Sequence, residues 1–304
     1  MEIVRIASKS RRALLFGIGG GGDIVSTIPV ASFLKEFGVD VLHGSVAWDR
    51  LAVDPKPGPR SIEEFENVEV VNDVVAIARA ETRTRDGVKP NLARAAELFG
   101  EVIAVDITKG VAKLADGLRD FADKRGVDLL IGVDAGGDAI ATGFESGLRS
   151  PLADSICVAA LSRLDGIVAV AGFGSDGELR MEELLMNMGE LVKMRGYLGC
   201  TSMGYEDFER MRSAVEHVVT EASYLPLLAF EGFFGYKKLR RGRTAFISPL
   251  SILVFYFKAS AVYELNEAAR IVSEASDIEE ANSLLHRAGI LTELDFERAI
   301  RGGL

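Results

Sequence analysis

Gly17-Ile18-Gly19-Gly20-Gly21-Gly22-Asp23 is the stretch that decides the fold, because it joins an apolar run to a segment with helical spacing. The apolar run, residues 13–18, predicts a buried strand, and residues 24–37 predict a helix. The glycines match GxGxxG at the position where a strand passes into a helix. Such a turn lets the backbone approach a ligand closely, and the N–H groups of the helix start can face an anion such as phosphate.

A second turn resembles the first. Residues 129–133 predict another apolar strand, and the sequence Gly132-Val133-Asp134-Ala135-Gly136-Gly137-Asp138 repeats the Gly-Gly-Asp of positions 21–23. Duplication and convergence on one turn would both produce this likeness. If the two strands are parallel, both turns lie at the same edge of the sheet, so we expect them to open into one crevice. The residues predicted to bind a cofactor there are Gly19, Gly20, Gly21, Gly22, Ser26, Thr27, Gly136 and Gly137.

Apolar runs and helical segments alternate along the chain. Further strands are predicted at 39–46, 68–71, 74–78, 102–105, 167–171 and 252–257, and helices at 111–124, 152–163, 181–194, 206–222, 259–275, 278–288 and 293–300. Strands that are apolar throughout are typical of a parallel sheet covered on both faces. We therefore predict a mainly parallel, Rossmann-like α/β core over residues 1–204. A helix-rich part over residues 205–304 is expected to pack on the same domain.

Aspartates follow several of these strands. Asp106, Asp134 and Asp138 stand at or just beyond predicted strand ends, and Asp23 starts the first helix. A carboxylate at a helix start repels an incoming phosphate by roughly 1 to 4 kcal/mol at about 4 Å. An Mg²⁺ ion between them relieves that repulsion. We predict Asp134 and Asp138 as metal ligands and Asp23, Asp106 and Asp138 as catalytic groups. Ordinary helix capping is the alternative for Asp23 and Asp138, and Ser26 and Thr27 are open to an equally ordinary helical role.

Composition excludes several classes of protein. The 304-residue chain is 48% hydrophobic with a net charge of −10, which disfavours a broad nucleic-acid surface. No apolar stretch is long enough for a membrane helix, no leader peptide is recognisable, and two cysteines without CxxC spacing fit a reducing compartment. These features predict a cytoplasmic protein. Three scattered histidines give no metal motif, and the absence of glutamine suggests a thermophilic source.

One basic cluster departs from the acidic composition. Lys237, Lys238, Arg240, Arg241 and Arg243 follow three exposed-type aromatic residues, Phe233, Phe234 and Tyr236. A solvated hairpin or loop explains this cluster, and so does a clamp for an anionic ligand or a partner's acidic surface. Both interpretations stay open at the level of sequence.

The segments GIGGGGDIVST and GVDAGGDAIATGFES resemble those of the archaeal family known as domain of unknown function 1152. The resemblance covers most of the chain and implies an archaeal cytosolic protein in which residues 19–23 and 134–138 matter. It implies no activity.

The residues favour an Mg²⁺-dependent enzyme, a phosphotransferase or hydrolase, acting on a phosphorylated or nucleotide-like small molecule. An NAD(P)- or flavin-dependent oxidoreductase is the enzymatic alternative, although the acid expected after a complete dinucleotide fingerprint has only a loose match at Asp49. A non-catalytic nucleotide or metabolite sensor, in which the apolar C-terminal third forms a homo-oligomer interface, is a further possibility. So is a structural subunit that docks through residues 236–243.

Overall fold

The computed structural model describes residues 1–239 and 242–302, so Arg240 and Arg241 of the basic cluster lie outside the described residues. A nine-stranded sheet forms the centre. Its strands are β1 Arg12–Gly17, β2 Asp40–Val46, β3 Phe65–Val70, β4 Val75–Thr84, β5 Val102–Val105, β6 Leu129–Ala135, β7 Ile167–Ala171, β8 Tyr197–Ser202 and β11 Leu253–Lys258. A separate hairpin pairs β9 Gly235–Lys238 with β10 Thr244–Ile247.

Helices surround the sheet. They are α1 Glu2–Ala7, α2 Thr27–Lys35, α3 Asn91–Phe99, α4 Gly110–Arg125, α5 Pro151–Ser162, α6 Met181–Lys193, α7 Tyr205–His217, α8 Leu225–Phe230, α9 Ala259–Leu265, α10 Glu267–Val272, α11 Ile278–Arg287 and α12 Glu293–Gly302. Within the described residues, none combines the length and the apolar character that crossing a membrane requires.

The middle of the sheet is parallel, as the apolar strands predict. The strand order is β3-β4-β5-β2-β1-β6-β7-β11-β8, and the strands from β5 to β7 pair in parallel. Every residue of β6 and β7 is buried because both faces of these strands are covered. Leu14 and Phe16 of β1 face α4 and α5, while Ala13 and Leu15 face α1 and α2. The predicted Rossmann-like class is confirmed.

Antiparallel strands complete both margins. β3 and β4 extend the β5 side, and β11 runs antiparallel between β7 and β8. The helix-rich part after residue 204 thus contributes β11 to the central sheet, and its helices α9 and α10 pack against α5. β8 has no counterpart among the predicted strands, because Gly199, Cys200 and Thr201 interrupt its apolar pattern.

Two predicted helices differ from the observed ones for identifiable reasons. The segment 24–37 begins as the 3-10 helix Gly21–Ser26, and α2 starts only at Thr27. Pro29 has no N–H to donate to the preceding turn, so it fits only the first turn of an α-helix. The segment 259–275 is divided at Asn266, which leaves helical geometry and caps α10 by accepting the Ala269 N–H at 3.0 Å.

Candidate functional site

The two glycine-rich turns meet at one edge of the sheet. β1 pairs in parallel with β6, and the Ile18 N–H just beyond β1 donates to the Val133 carbonyl at 3.0 Å. From β1 the chain crosses to β2 on one side, while β6 lies on the other, so the strand order reverses between the two turns. Open α/β sheets bind ligands at such a point. A crevice of about 200 Å³ lies there, lined by both turns. The predicted juxtaposition is confirmed.

The first turn needs its glycines because other groups approach its backbone closely. A Cβ at Gly19 would lie 2.7 Å from Asp23 Oδ2, and a Cβ at Gly21 would lie 2.3 Å from Asp49 Oδ1. One at Gly22 would meet the Thr220 Cβ at 2.9 Å. The glycines therefore admit carboxylates and a neighbouring loop to the backbone.

Protein acceptors already use several amides of this turn. The Gly19 N–H donates to Asp23 Oδ2 at 2.9 Å. The Gly21 N–H donates to the Trp48 carbonyl at 2.9 Å, and the Asp23 N–H donates to the Gly20 carbonyl at 3.1 Å. A phosphate seated on this turn in the manner of a dinucleotide would have to displace the Asp23 carboxylate. The crevice accordingly presents acidic groups where the sequence suggested a phosphate cradle.

The second turn directs acidic groups toward the same crevice. Gly136 and Gly137 have φ values of 132° and 128°, a region that favours glycine. The Asp138 N–H donates to Asp176 Oδ2 at 3.2 Å, and the Ala139 N–H donates to Asp134 Oδ2 at 3.3 Å. Carboxylates thus hold the turn that follows β6.

Three buried carboxyl groups converge beside this turn. Asp134 at the end of β6, Asp138 in the turn and Asp154 in α5 each offer an oxygen, and these oxygens lie within 4.8 Å of one another. The side chains are buried. The sequence predicted the first two as metal ligands and did not predict Asp154. The available signal was a lone charged residue in the helix Pro151–Ser162, where it is buried among apolar neighbours.

Asp154 differs from its neighbours in lacking partners. Both of its carboxylate oxygens are buried, and neither has a hydrogen-bond donor. Asp138, in contrast, accepts the Ser150 hydroxyl at 3.0 Å. A buried carboxylate without a partner is costly, since burial removes its hydration and nothing replaces it. A cation held between Asp154, Asp134 and Asp138 would supply the missing interaction.

The crowding of carboxylates shifts their protonation equilibria. Burial, with added repulsion from neighbouring acids, raises the pKa values of Asp134, Asp138 and Asp154 well above the usual range. Burial also raises the pKa of Asp23 to about 7, although Arg50 opposes the shift. Burial and then Glu178 raise the pKa of Asp176 to about 7. The site thus holds more negative charge than a buried pocket tolerates without a counterion or protons.

The remaining predicted residues lie outside the lining of this crevice. Asp106, at the end of β5, accepts the Ile62 N–H at 3.0 Å and the Thr108 N–H at 2.7 Å, so it fastens the excursion before β3 to the sheet. The Ser26 hydroxyl donates to Ser223 at 3.0 Å, and the Thr27 hydroxyl lies 2.8 Å from His43 Nδ1. These three side chains are buried in structural contacts away from the acidic cluster.

Arg50 and Glu178 extend the site beyond the aspartates. The Arg50 guanidinium donates to the Gly19 carbonyl at 2.7 Å and lies 3.8 Å from both Glu293 and Glu297. Glu178 accepts the N–H groups of Arg149 and Ser150 at 2.6 and 2.9 Å. The sequence analysis assigned a role to neither residue, because each comes from a segment without a motif.

Comparison with known proteins places the chain in one family. Residues 14–301 match the family described as protein of unknown function (DUF1152). No curated protein matches the chain, and no solved structure matches it either. The expected family is therefore confirmed, and chemistry has to be argued from the site.

Proposed function

The chain belongs to this family of unknown function, and we propose that it is a divalent-metal-dependent enzyme acting on a phosphorylated or nucleotide-like small molecule. The observation that carries the proposal is Asp154, whose two buried oxygens lack donors beside Asp134 and Asp138. All the ligand atoms offered are carboxylate oxygens. Such a set suits a hard cation, so Mg²⁺ is the expected metal, with Mn²⁺ as a substitute.

The substrate class follows from what the crevice otherwise lacks. Acidic groups line it, and Asp23 occupies the Gly19 amide, so the turn alone is a poor phosphate site. A bound Mg²⁺ would supply the positive charge that draws a phosphate oxygen into the crevice and neutralises charge developing on it. The chain's own contribution is to hold Asp134, Asp138 and Asp154 in place and to bury them.

Asp23 is the group we assign to proton transfer. It lines the crevice, its carboxylate is oriented by the Gly19 N–H, and burial raises its pKa to about 7. A carboxyl group with a pKa near neutrality can accept a proton from an attacking hydroxyl or water and return it later in the reaction. This role suits a phosphotransferase or a hydrolase.

Two alternatives share parts of this site. A nicotinamide or flavin cofactor would need its pyrophosphate where the Asp23 carboxylate binds Gly19, so this alternative has less support. A metabolite sensor would use the same metal and the same ligand without turnover. Release of inorganic phosphate from a panel of phosphorylated compounds, assayed with and without Mg²⁺, separates the enzyme from the sensor.

The direct test is metal binding by Asp154→Asn. Removing one anionic ligand is expected to weaken Mg²⁺ binding by at least about 100-fold, since loss of even an indirect metal contact costs about 10- to 100-fold. Isothermal titration calorimetry with MgCl₂ measures the effect, after EDTA treatment and dialysis.

Asp116→Asn is the matched control, because Asp116 lies on α4 with a side chain 75% exposed and an ion pair only to Arg119. The control should bind Mg²⁺ like the wild type. Equal affinity in Asp154→Asn and Asp116→Asn would contradict the proposed metal site.

A further inference from the structure

A second cavity adjoins the acidic crevice. It has a volume of about 660 Å³ and opens between the residues around Arg149, the β9–β10 hairpin and helix α12. Arg50, Ser150, Glu178 and Arg243 line both this cavity and the crevice. A ligand bound at the metal site therefore has a continuous route into the second cavity.

The carboxylates of the second cavity are already engaged. Glu178 accepts the two backbone N–H groups given above, together with the Ser150 hydroxyl at 2.7 Å and Arg243 at 3.0 Å. Glu293 accepts the Leu152 and Ala153 N–H groups at 3.0 and 2.9 Å, at the start of α5. Glu297 Oε2 accepts from Trp48 Nε1 at 3.1 Å and from the Gly58 N–H at 2.9 Å, and its Oε1 lies 3.8 Å from Arg50. Their negative charge is largely balanced within the protein.

Arg149 stands apart from these pairs. Its backbone N–H donates to Glu178, but its exposed guanidinium lies over the Phe296 ring, 5.4 Å from the centroid. Among the described residues this guanidinium has no carboxylate partner. An arginine oriented on an aromatic ring and free of an acid presents its planar donors to an incoming oxyanion.

The other walls define the body of the ligand. Phe296, Ala299 and Ile300 give one side of the cavity an apolar surface, and Arg50 and Arg243 reach it from the crevice. Arg243, in β9–β10 numbering the residue just before β10, is held by Glu178 and lies 3.5 Å from Glu221. The cavity thus combines cationic groups with an apolar wall.

We propose that the second cavity binds a second oxyanion of the substrate, a phosphate group, through Arg149, with the apolar or planar body of the molecule against Phe296 and Ile300. This inference rests on the proposed function and narrows its substrate class. The substrate carries a reacting phosphate at the acidic crevice and a second anionic group at its remote end. Arg149 is a specificity-determining residue in this arrangement.

The experiment uses inorganic phosphate and phenyl phosphate as probes on the full chain in EDTA, so that metal plays no part. Calorimetric titration should show phosphate binding, and phenyl phosphate should bind more tightly because its ring adds contact with the apolar wall. Arg149→Ala is expected to weaken both by at least about tenfold, and Arg149→Lys to restore only part of the affinity because it lacks the planar fork. Arg119→Ala, an exposed arginine on α4 with a single acidic partner, is the control and should bind like the wild type.

Metal titrations keep this inference separate from the proposed function. Arg149→Ala should bind Mg²⁺ normally, and Asp154→Asn should bind phosphate normally in EDTA while failing to bind Mg²⁺. Absence of phosphate binding to the wild type, or equal binding by Arg149→Ala and Arg119→Ala, would overturn the assignment of the second cavity. Loss of Mg²⁺ binding alone would leave it standing.

Discussion

Single glycines in the first turn are fixed by what lies against them. Gly21 contacts Asp49, whose Oδ2 accepts the Asn91 N–H at 2.8 Å at the start of α3. Any side chain at position 21 would have to displace Asp49, and with it the start of that helix. The glycine-rich pattern visible in the sequence therefore reports close packing of acidic residues as much as ligand binding.

Gly21→Ala tests this contact. The added Cβ would lie 2.3 Å from Asp49 Oδ1, so we expect a loss of about 1–3 kcal/mol in the free energy of unfolding, as for other overpacked sites. Gly189→Ala is the matched control, because nothing lies within 4 Å of a Cβ on this exposed glycine of α6. The control should gain about 0.5–1 kcal/mol from the better helix former. Urea unfolding measures both, and a neutral Gly21→Ala would show that the contact relaxes freely.

At the scale of elements, the sequence carried the sheet and only part of the site. Uninterrupted apolar runs predicted β1, β5, β6 and β7, since strands buried on both faces need no alternation. The same runs placed Asp134 and Asp138 correctly at one edge. Asp154 escaped because α5 packs against the sheet through tertiary contacts, and no spacing within the helix indicates that its one acid faces β6.

Asn266 links the C-terminal helices to the second glycine-rich turn. Its side chain caps α10 and also donates to the Ala139 carbonyl at 3.2 Å, next to the proposed ligand Asp138. Asn266→Ala is expected to lose about 2–4 kcal/mol of stability, from the cap and from the unpaired carbonyl together. It should also weaken Mg²⁺ binding by about tenfold or more, as an indirect metal contact does.

Asp277→Ala provides the comparison for Asn266→Ala. Asp277 caps α11 by accepting the Glu280 N–H at 2.8 Å at an exposed site, so its loss should cost only about 1 kcal/mol and leave metal binding intact. Chemical unfolding and calorimetry give the two readouts. Normal Mg²⁺ affinity in a folded Asn266→Ala would show that the turn keeps its geometry without this tie.

At the scale of the whole molecule, the acidic site opposes folding when no metal is bound. A carboxyl group whose pKa is raised on folding binds more protons in the folded state than in the unfolded state, so stability falls as pH rises from the unfolded pKa through the folded one. For Asp23 and Asp176 that window runs from 3.8 to about 7. Each such group opposes folding by roughly 4 kcal/mol once both states are ionised.

Removing one of these charges should therefore stabilise the metal-free protein. The pKa of Asp154 is raised by burial and then by Asp134 and Asp23, so Asp154→Asn relieves repulsion that grows with pH. In EDTA at pH 8 we expect a higher thermal unfolding midpoint for Asp154→Asn than for the wild type, and a smaller difference at pH 5. Saturating Mg²⁺ at pH 8 should reverse the order, because only the wild type gains stability from binding the cation. Differential scanning calorimetry measures all four midpoints. A wild type that stays the more stable protein in EDTA at pH 8 would mean that donors or protons already satisfy Asp154, and the case for a cation there would fail.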